Sequence, residues 1–427
     1  MIMWFLYVTG IITIYPVWLL FFKLKTYYVD RRVQSRRIKG GAIIISNHKS
    51  FKDFMMYLCA FPFRKIYCLM SEKVYGINKM VSYLSTVLGG IRVDRRDFNF
   101  KFIEKSVELL NKNKLLMVFP EGKMPTTKIM GPFYPSYIMI ALKANKPIIP
   151  IYTPGRYGFF KRGRMVVGKP IYIKDLIKSD VPSKEEIDKA NKFIRNEVLK
   201  LQDLCNKKML CEKYHKKFSF RYFFHDLGRL HIFFIDLIVL RFKRYNLGEK
   251  KYKQKFKNNL IITSNHLSFS DPLIIMGTYL RRRMHMLVSE VVYDNHPIRS
   301  KALNGLGCIR IDRDNYDADA VEKCEDILNG NGLISLFPEG HISRDGLSEF
   351  KHGAAYLSLK CNTCILPMYI KYKDRGFYRF NVYYGDIIDP NDFKDIVKKS
   401  DKIIAMTNKL YEETKRLEMI ANGSLEL

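Results

Sequence analysis

The sequence predicts two tandem α/β domains, each a mostly parallel or mixed sheet layered with helices, with a membrane helix ahead of the first. Three observations predict this. A set of short motifs occurs twice. Ser46-Asn47-His48 leads to Asp53, and Ser264-Asn265-His266 leads to Asp271. Gly89 to Arg95 and Gly307 to Arg313 both read Gly-x-Ile-Arg-x-Asp-Arg, and Phe119-Pro120-Glu121-Gly122 is matched by Phe337-Pro338-Glu339-Gly340. Each His precedes its Glu by 73 residues, and the copies are offset by 218. Second, short apolar, partly β-branched runs alternate with helical patterns, which argues for a sheet layered with helices. Third, Met1 to Phe22 carries no charged side chain.

That first segment is long enough for a bilayer, which takes about 20 apolar residues. A signal peptide has a basic start and a small-residue cleavage site; here the positive charge follows the apolar run. This places the C-terminal side in the cytoplasm. Pro16 is positioned to kink the helix, so a monotopic, half-inserted form is the alternative. Lys23, Lys25, Arg31, Arg32, Arg36, Arg37 and Lys39 come next, suited to anionic headgroups at about 1 kcal/mol per charge. Ala42 to Ser46, Leu115 to Phe119 and Ile148 to Tyr152 read as buried strands. Phe102, Ile103, Val107 and Leu110 mark a helix between them. Ser183 and Glu186 form a capping box that opens a helix with Ile187, Ala190, Ile194, Val198 and Leu201 on one side. The basic stretch Lys207 to Lys217 reads as a linker.

The second copy repeats this order. Leu230 to Leu240 is apolar but holds His231 and Asp236; it is too short and polar to span, and fits an interfacial helix or a buried core helix. Arg241, Lys243, Arg244, Lys250, Lys251, Lys253, Lys255 and Lys257 follow it. Strands are expected at Leu260 to Ser264, Leu333 to Phe337 and Ile365 to Ile370, with a helix marked by Val321, Cys324, Ile327 and Leu328. The expected division is a membrane segment at 1–22 and domains at 23–209 and 219–427.

A chain of 427 residues suits two domains of this size, each able to bury a core. Its 73 Lys and Arg against 42 Asp and Glu give +31, which predicts an anionic partner. The position of the basic clusters favours membrane lipid. A nucleic-acid partner is disfavoured, since no zinc finger, RRM-type aromatic motif or Lys-rich tail is present. The eight Cys do not pair between copies, so a reducing compartment is expected, and the lone Cys361-x-x-Cys364 does not suggest a metal site.

His48 and His266 each leave a strand, and Asp53 and Asp271 stand five residues on. Such an Asp can turn back to one ring nitrogen, fix the tautomer and stabilise the imidazolium while the other nitrogen takes a proton. A lone His near an Asp is usually structural; recurrence with two further motifs favours a proton-handling pair. There is no Gly-x-Ser-x-Gly elbow or P-loop beside it, so the histidine is expected to act on a substrate hydroxyl directly. Arg92, Arg95, Arg310 and Arg313 suit a phosphate, or surface ion pairs with Asp94 and Asp312. Glu121 and Glu339 are placed to order an arginine or to bond an acceptor hydroxyl.

Together these blocks, with Pro147-Ile148-Ile149-Pro150 and Cys364-Ile365-Leu366-Pro367, resemble the glycerolipid acyltransferase family typified by lysophosphatidic acid acyltransferase. The resemblance covers most of both copies. It implies acyl transfer from an acyl-CoA or acyl-carrier-protein thioester to a glycerol hydroxyl of a lysophospholipid, with no bound cofactor, at the cytoplasmic side of a membrane. It implies His48 and His266 as general bases, Asp53 and Asp271 as their orienting partners, and Arg92, Arg95, Arg310 and Arg313 at the acceptor phosphate. Glu121 with Gly122 and Glu339 with Gly340 would lie at the acceptor site. The second copy departs from the family's third block only at His341-Ile342 in place of Thr-Arg. The first reads Lys123-Met124-Pro125 and lacks the block's serine and arginine, with Lys123 a substitute phosphate contact. The alternatives are a bifunctional chain acylating glycerol 3-phosphate and then the lyso product, or a lipid-binding scaffold whose first copy is inactive.

Overall fold

The computed structural model describes residues 15–62, 64–94, 101–124, 129–158, 161–179, 181–214, 223–235, 238, 241–248, 258–279, 282–312, 315, 317–343, 346–373 and 379–425. The chain divides into two compact units, Met1–Asn206 and Lys207–Leu427.

Unit 1 holds one seven-stranded sheet. In chain order its strands are β1 (Lys25–Tyr28), β2 (Ala42–Ser46), β3 (Ile66–Ser71), β4 (Gly90–Val93), β5 (Leu115–Val118), β6 (Ile148–Tyr152) and β7 (Arg164–Val167). Across the sheet they run β1-β7-β6-β2-β5-β3-β4. The five from β6 to β4 are parallel, and β7 and β1 run against them. β2 is central because both its faces are apolar: Ile43, Ile44 and Ile45 are wholly buried. Each such side chain contributes about 1.5–3 kcal/mol through burial. Ala42, Ile44, Leu115, Met117, Ile149 and Ile151 share one face and pack on Phe54, Met56, Tyr57 and Leu58 of the helix Asp53–Ala60.

Unit 2 repeats the sheet. Its strands are β8 (Phe242–Asn246), β9 (Leu260–Ser264), β10 (Met284–Ser289), β11 (Ile309–Ile311), β12 (Leu333–Leu336), β13 (Ile365–Tyr372) and β14 (Phe380–Tyr384). The order β8-β14-β13-β9-β12-β10-β11 matches unit 1 strand for strand. Ile262, Leu260, Leu366 and Met368 pack toward Ile274 and Ile275 of the helix Asp271–Thr278. The opposite face, with Ile261, Ile334 and Ile365, is covered by the helices Ala318–Asn329, Gly353–Cys361 and Lys399–Asn422. Two mostly parallel α/β sheets are thus present, as expected.

Several details differ from expectation. Lys25 lies in β1, and Lys243 and Arg244 lie in β8. Part of each basic cluster therefore lies in an edge strand, where charged residues discourage pairing with another chain. Lys250 to Lys257 lies outside the described residues. The predicted linker is helical as far as Tyr214: the capped helix runs Lys184–Tyr214, with Ser183 and Glu186 bonding reciprocally at 2.8 and 3.2 Å. Its last turn is held within unit 2 by the Tyr214–His285 ring contact and the Lys213–Asp326 pair. Of the expected membrane segment, residues 1–14 lie outside the described residues and 15–22 are helical. Among the described residues no helix is long and apolar enough to cross a membrane. The apolar run of the second copy belongs to the helix Phe223–Ile235, which starts seven residues before the expected segment. That helix buries Ile232 and His225 but leaves Phe224, Leu230, Phe233 and Phe234 exposed.

Candidate active site

In both sheets the motif residues gather at the carboxyl ends of the parallel strands, where open α/β sheets bind ligands. His48 leaves β2, Glu121 leaves the neighbouring β5, and Thr153 leaves β6. A tight turn follows His48, closed by the Asp53 amide donating to the Ser50 carbonyl, and Asp53 opens the next helix. One Asp53 oxygen, Oδ2, accepts from His48 Nδ1 at 2.9 Å and from the amides of Lys49 and Ser50 at 2.7 and 2.8 Å. Its other oxygen, Oδ1, accepts the Tyr157 hydroxyl at 2.6 Å. Asp53 is fully buried, while the His48 side chain keeps 22% of its surface open.

Unit 2 builds the same arrangement. Asp271 Oδ2 accepts from His266 Nδ1 at 3.0 Å and from the Leu267 and Ser268 amides at 2.7 Å each. Its Oδ1 accepts the Tyr372 hydroxyl at 2.5 Å. Asp271 is fully buried and His266 is 16% exposed. With Nδ1 donating to a carboxylate, each imidazole presents Nε2 as an acceptor. Neither Nε2 has a hydrogen-bond partner among the described residues.

Three further groups position the histidines, and none stood out in the sequence. Phe119 stacks on His48 at 4.3 Å and 21°, and Phe337 on His266 at 3.9 Å and 12°. Asn47 clasps the Thr153 backbone by two bonds of 2.8 and 2.9 Å, and Asn265 clasps Ile370 at 3.0 and 2.7 Å. This locks the end of the histidine strand to its neighbour. Their signal was their place in the doubled motifs. The third group is the tyrosine pair. Burial raises the pKa of both tyrosines, that of Tyr372 to about 12, so each is protonated and donates to its aspartate.

The two glutamates bond the backbone on both sides of the site. Glu121 is buried, and its oxygens accept the His48 amide at 2.9 Å and the Gly131 amide at 2.8 Å. Glu339 accepts the His266 amide at 3.1 Å and the Ser348 amide and hydroxyl at 3.0 and 2.8 Å. Their carboxylates tie the histidine backbone to the loop of the third block. Gly122 and Gly340 close the preceding turn by donating to Phe119 and Phe337, with φ of 66° and 75°, a left-handed conformation that favours glycine.

Arg92 and Arg310 lie on β4 and β11, at the same sheet edge and three strands from the histidine strand, on the order of 14 Å at about 4.8 Å per strand. Arg310 is held by Asp294 at 2.6–2.7 Å, whereas Arg92 approaches Asp94 at 3.7 Å. Asp312, the other carboxylate expected near Arg310, instead bonds Asn315. Arg95 and Arg313 lie outside the described residues. Lys123 is exposed on the turn after Glu121.

Fold and site together define a tandem-duplicated α/β protein with one carboxylate-held histidine at the strand ends of each unit. The Acyltransferase family model matches residues 25–153 and again 244–371, and the chain belongs to that family. It is 27% identical over 177 residues to the 1-acyl-sn-glycerol-3-phosphate acyltransferase of Limnanthes douglasii, covering 40% of this chain and 62% of that protein. It is 28% identical over 152 residues to the enzyme of the same name from Borreliella burgdorferi, covering 34% and 60%. The chain thus spans about three-fifths of the length of these relatives. A crystal structure of the 1-acyl-sn-glycerophosphate (LPA) acyltransferase PlsC from Thermotoga maritima matches at 18% identity and a TM-score of 0.34, covering 46% of this chain and 79% of that one. That likeness adds nothing to the assignment.

Proposed function

We propose that this chain transfers a fatty acyl group from an acyl-CoA or acyl-carrier-protein thioester to the free glycerol hydroxyl of lysophosphatidic acid or a related lysophospholipid. The observation that carries this reading is the buried-carboxylate–imidazole pair in each unit. His Nε2 takes the hydroxyl proton as the oxygen attacks the thioester carbonyl carbon. The tetrahedral intermediate then collapses, the C–S bond breaks, and the imidazolium returns its proton to the departing thiolate. Asp53 and Asp271 stabilise the imidazolium between these steps. The transfer itself needs no bound cofactor. Arg92 with Arg95, and Arg310 with Arg313, meet the acceptor phosphate, while Glu121–Gly122 and Glu339–Gly340 shape the turn beneath it.

The acceptor is an amphiphile, and the apolar surface beside the site suits a membrane. Phe51 and Phe269, three residues after each histidine, are 64% and 78% exposed, and Val17, Leu19 and Leu20 are also exposed. These residues, with the exposed helix Phe223–Ile235, favour binding at the cytoplasmic face of a membrane through interfacial contact. A nucleic-acid partner has no such support.

Purified protein supplied with a labelled acyl thioester and lysophosphatidic acid is expected to form phosphatidic acid. His48→Ala and His266→Ala should each lower the rate of its own unit by about 10²–10⁴. Absence of product with either donor, or full activity in the double variant, overturns the reading. The equal geometry of the two pairs favours a second version, in which one unit acylates glycerol 3-phosphate and the other the lyso product. It requires the two single variants to block different steps.

A further inference from the structure

Tyr157 and Tyr372 reach the same atom of the same aspartate from different places in the chain. The asparagine clasp aligns Thr153 of unit 1 with Ile370 of unit 2. Tyr372 is two residues beyond that point, on the last position of β13, whereas Tyr157 is four residues beyond, in the loop after β6. The residue of unit 1 that corresponds to Tyr372 is Gly155. Each hydroxyl nonetheless donates to Oδ1, at 2.6 and 2.5 Å, and each has a second hydroxyl beside it: Thr153 Oγ1 at 2.9 Å and Ser270 Oγ at 3.0 Å. A contact inherited passively with the duplicated strand would keep its register. This one changed register and kept its geometry.

We infer that Tyr157 and Tyr372 are positioning residues that set the orientation and the basicity of His48 and His266 through the aspartate. The inference deepens the acyl-transfer reading and rests on it for its role in catalysis. Among the described residues three donors fix Oδ2, two of them backbone amides, and only the tyrosine fixes Oδ1. The phenol stays protonated, since burial raises its pKa in both units. Its proton draws negative charge toward Oδ1 and away from the oxygen facing the imidazole. Removing the hydroxyl leaves that charge on Oδ2, which steadies the imidazolium and raises the histidine pKa. A stronger donor has the opposite effect. Among the described residues the other titratable groups near His266 are Glu339, on its amide, His341, beside the Glu339 carbonyl, and Lys351, against Gly340; near His48 they are Glu121, on its amide, the adjacent Lys49, and Tyr57, bonded to Ser46. All of them remain in the variants below.

The test reads protonation directly. Full-length wild type, Tyr157→Phe and Tyr372→Phe are labelled with diethyl pyrocarbonate, which acylates neutral imidazole, across pH 5–8. His48 and His266 are then quantified separately by peptide mass spectrometry. Tyr372→Phe should raise the His266 midpoint by about half a pH unit, threefold in proton affinity, and leave His48 in place; Tyr157→Phe should do the reverse. Site-specific 3-fluorotyrosine at 372, a stronger donor that keeps the ring, should lower the His266 midpoint and serves where a phenylalanine variant fails to fold. Unmoved midpoints, or both histidines moving in each variant, overturn the inference. Shifted midpoints in a chain that forms no phosphatidic acid uphold it while removing the proposed reaction. In an active chain the acid limb of the kcat/KM profile should move with the labelling midpoint, and a limb that stays in place removes the catalytic role.

Discussion

Unit 1 anchors the glutamate of its third block with a single loop amide, Gly131; unit 2 anchors the equivalent glutamate with both the amide and the hydroxyl of Ser348. The two units agree on the Nδ1–carboxylate bond, on the two turn amides that hold that carboxylate and on the Phe stacked on the imidazole. They differ at the tyrosine and at the outer strand. The tyrosine arrives from another register, the arginine on the outer strand is held by Asp294 in unit 2, and the residue of unit 1 that corresponds to Asp294 is Gly76. Geometry at the histidine is therefore the same in both units although its tyrosine comes from a different place in the chain. The altered third block of the first copy, which suggested a lapsed unit from sequence, still braces His48: Glu121 accepts the His48 amide at 2.9 Å, as Glu339 accepts that of His266 at 3.1 Å.

The largest effect that sharpens this comparison comes from removing the brace. Glu121→Ala strands two backbone donors, and Glu339→Ala strands two backbone donors and one hydroxyl. An unpaired buried donor costs about 1–3 kcal/mol, so each variant should lose about 2 kcal/mol or more, the Glu339 variant most. Hydrogen-exchange protection of each unit in the full chain measures this. Equal losses would show that the Ser348 hydroxyl contributes nothing, and no loss would remove the brace altogether.

Much of this arrangement was legible because parallel strands buried on both faces read as plain apolar runs. Ala42–Ser46, Ile148–Tyr152 and Leu260–Ser264 fall where the sequence places them. The sheet's outer strands were not legible. Lys-Thr-Tyr-Tyr and Phe-Lys-Arg-Tyr-Asn carry the charges that protect an edge, and those charges look like a headgroup cluster. Residues 207–214 look like a basic linker because the helix there buries few side chains. In the site, the histidine, aspartate and glutamate keep a fixed offset and so announce themselves. The tyrosines break that offset and cannot be found by it. The glutamates' partners were hidden for another reason: spacing reveals that a carboxylate recurs, but not that it bonds backbone amides.

A second contrast concerns acid. His225 of unit 2 is fully buried, with neither ring nitrogen hydrogen-bonded among the described residues. Burial, and then the neighbouring His285, lower its pKa to about 3; Arg229 and Arg283 act in the same direction and Asp226 opposes them. The unfolded chain binds this proton near pH 6.5, so the contribution of neutral His225 is complete above that pH. It is lost as pH falls toward 3, by up to about 1.4 kcal/mol per pH unit. Position 67 of unit 1, which corresponds to His285, is a tyrosine. Unit 2 should therefore open first on acidification, and His225→Phe should flatten that dependence. Simultaneous opening of both units at pH 5, by hydrogen exchange, would break the contrast.

The smallest expected effect lies at the outer strand. Arg310 donates to Asp294 through two nitrogens, while among the described residues Arg92 has only a long contact with Asp94. Both guanidinium groups are exposed, and exposed ion pairs add little stability. Asp294→Ala should leave the melting temperature unchanged but free Arg310 for an anionic headgroup, lowering the KM of unit 2 for its phosphate-bearing acceptor by a few-fold at low salt. The gain should fade as ionic strength rises, because it is electrostatic. Asp94→Ala should change the KM of unit 1 less, since Arg92 is already nearly unrestrained. An Asp294→Ala variant with unaltered KM at every salt concentration would mean that Arg310 does not meet the acceptor. The difference between the outer strands would then be one of surface charge alone.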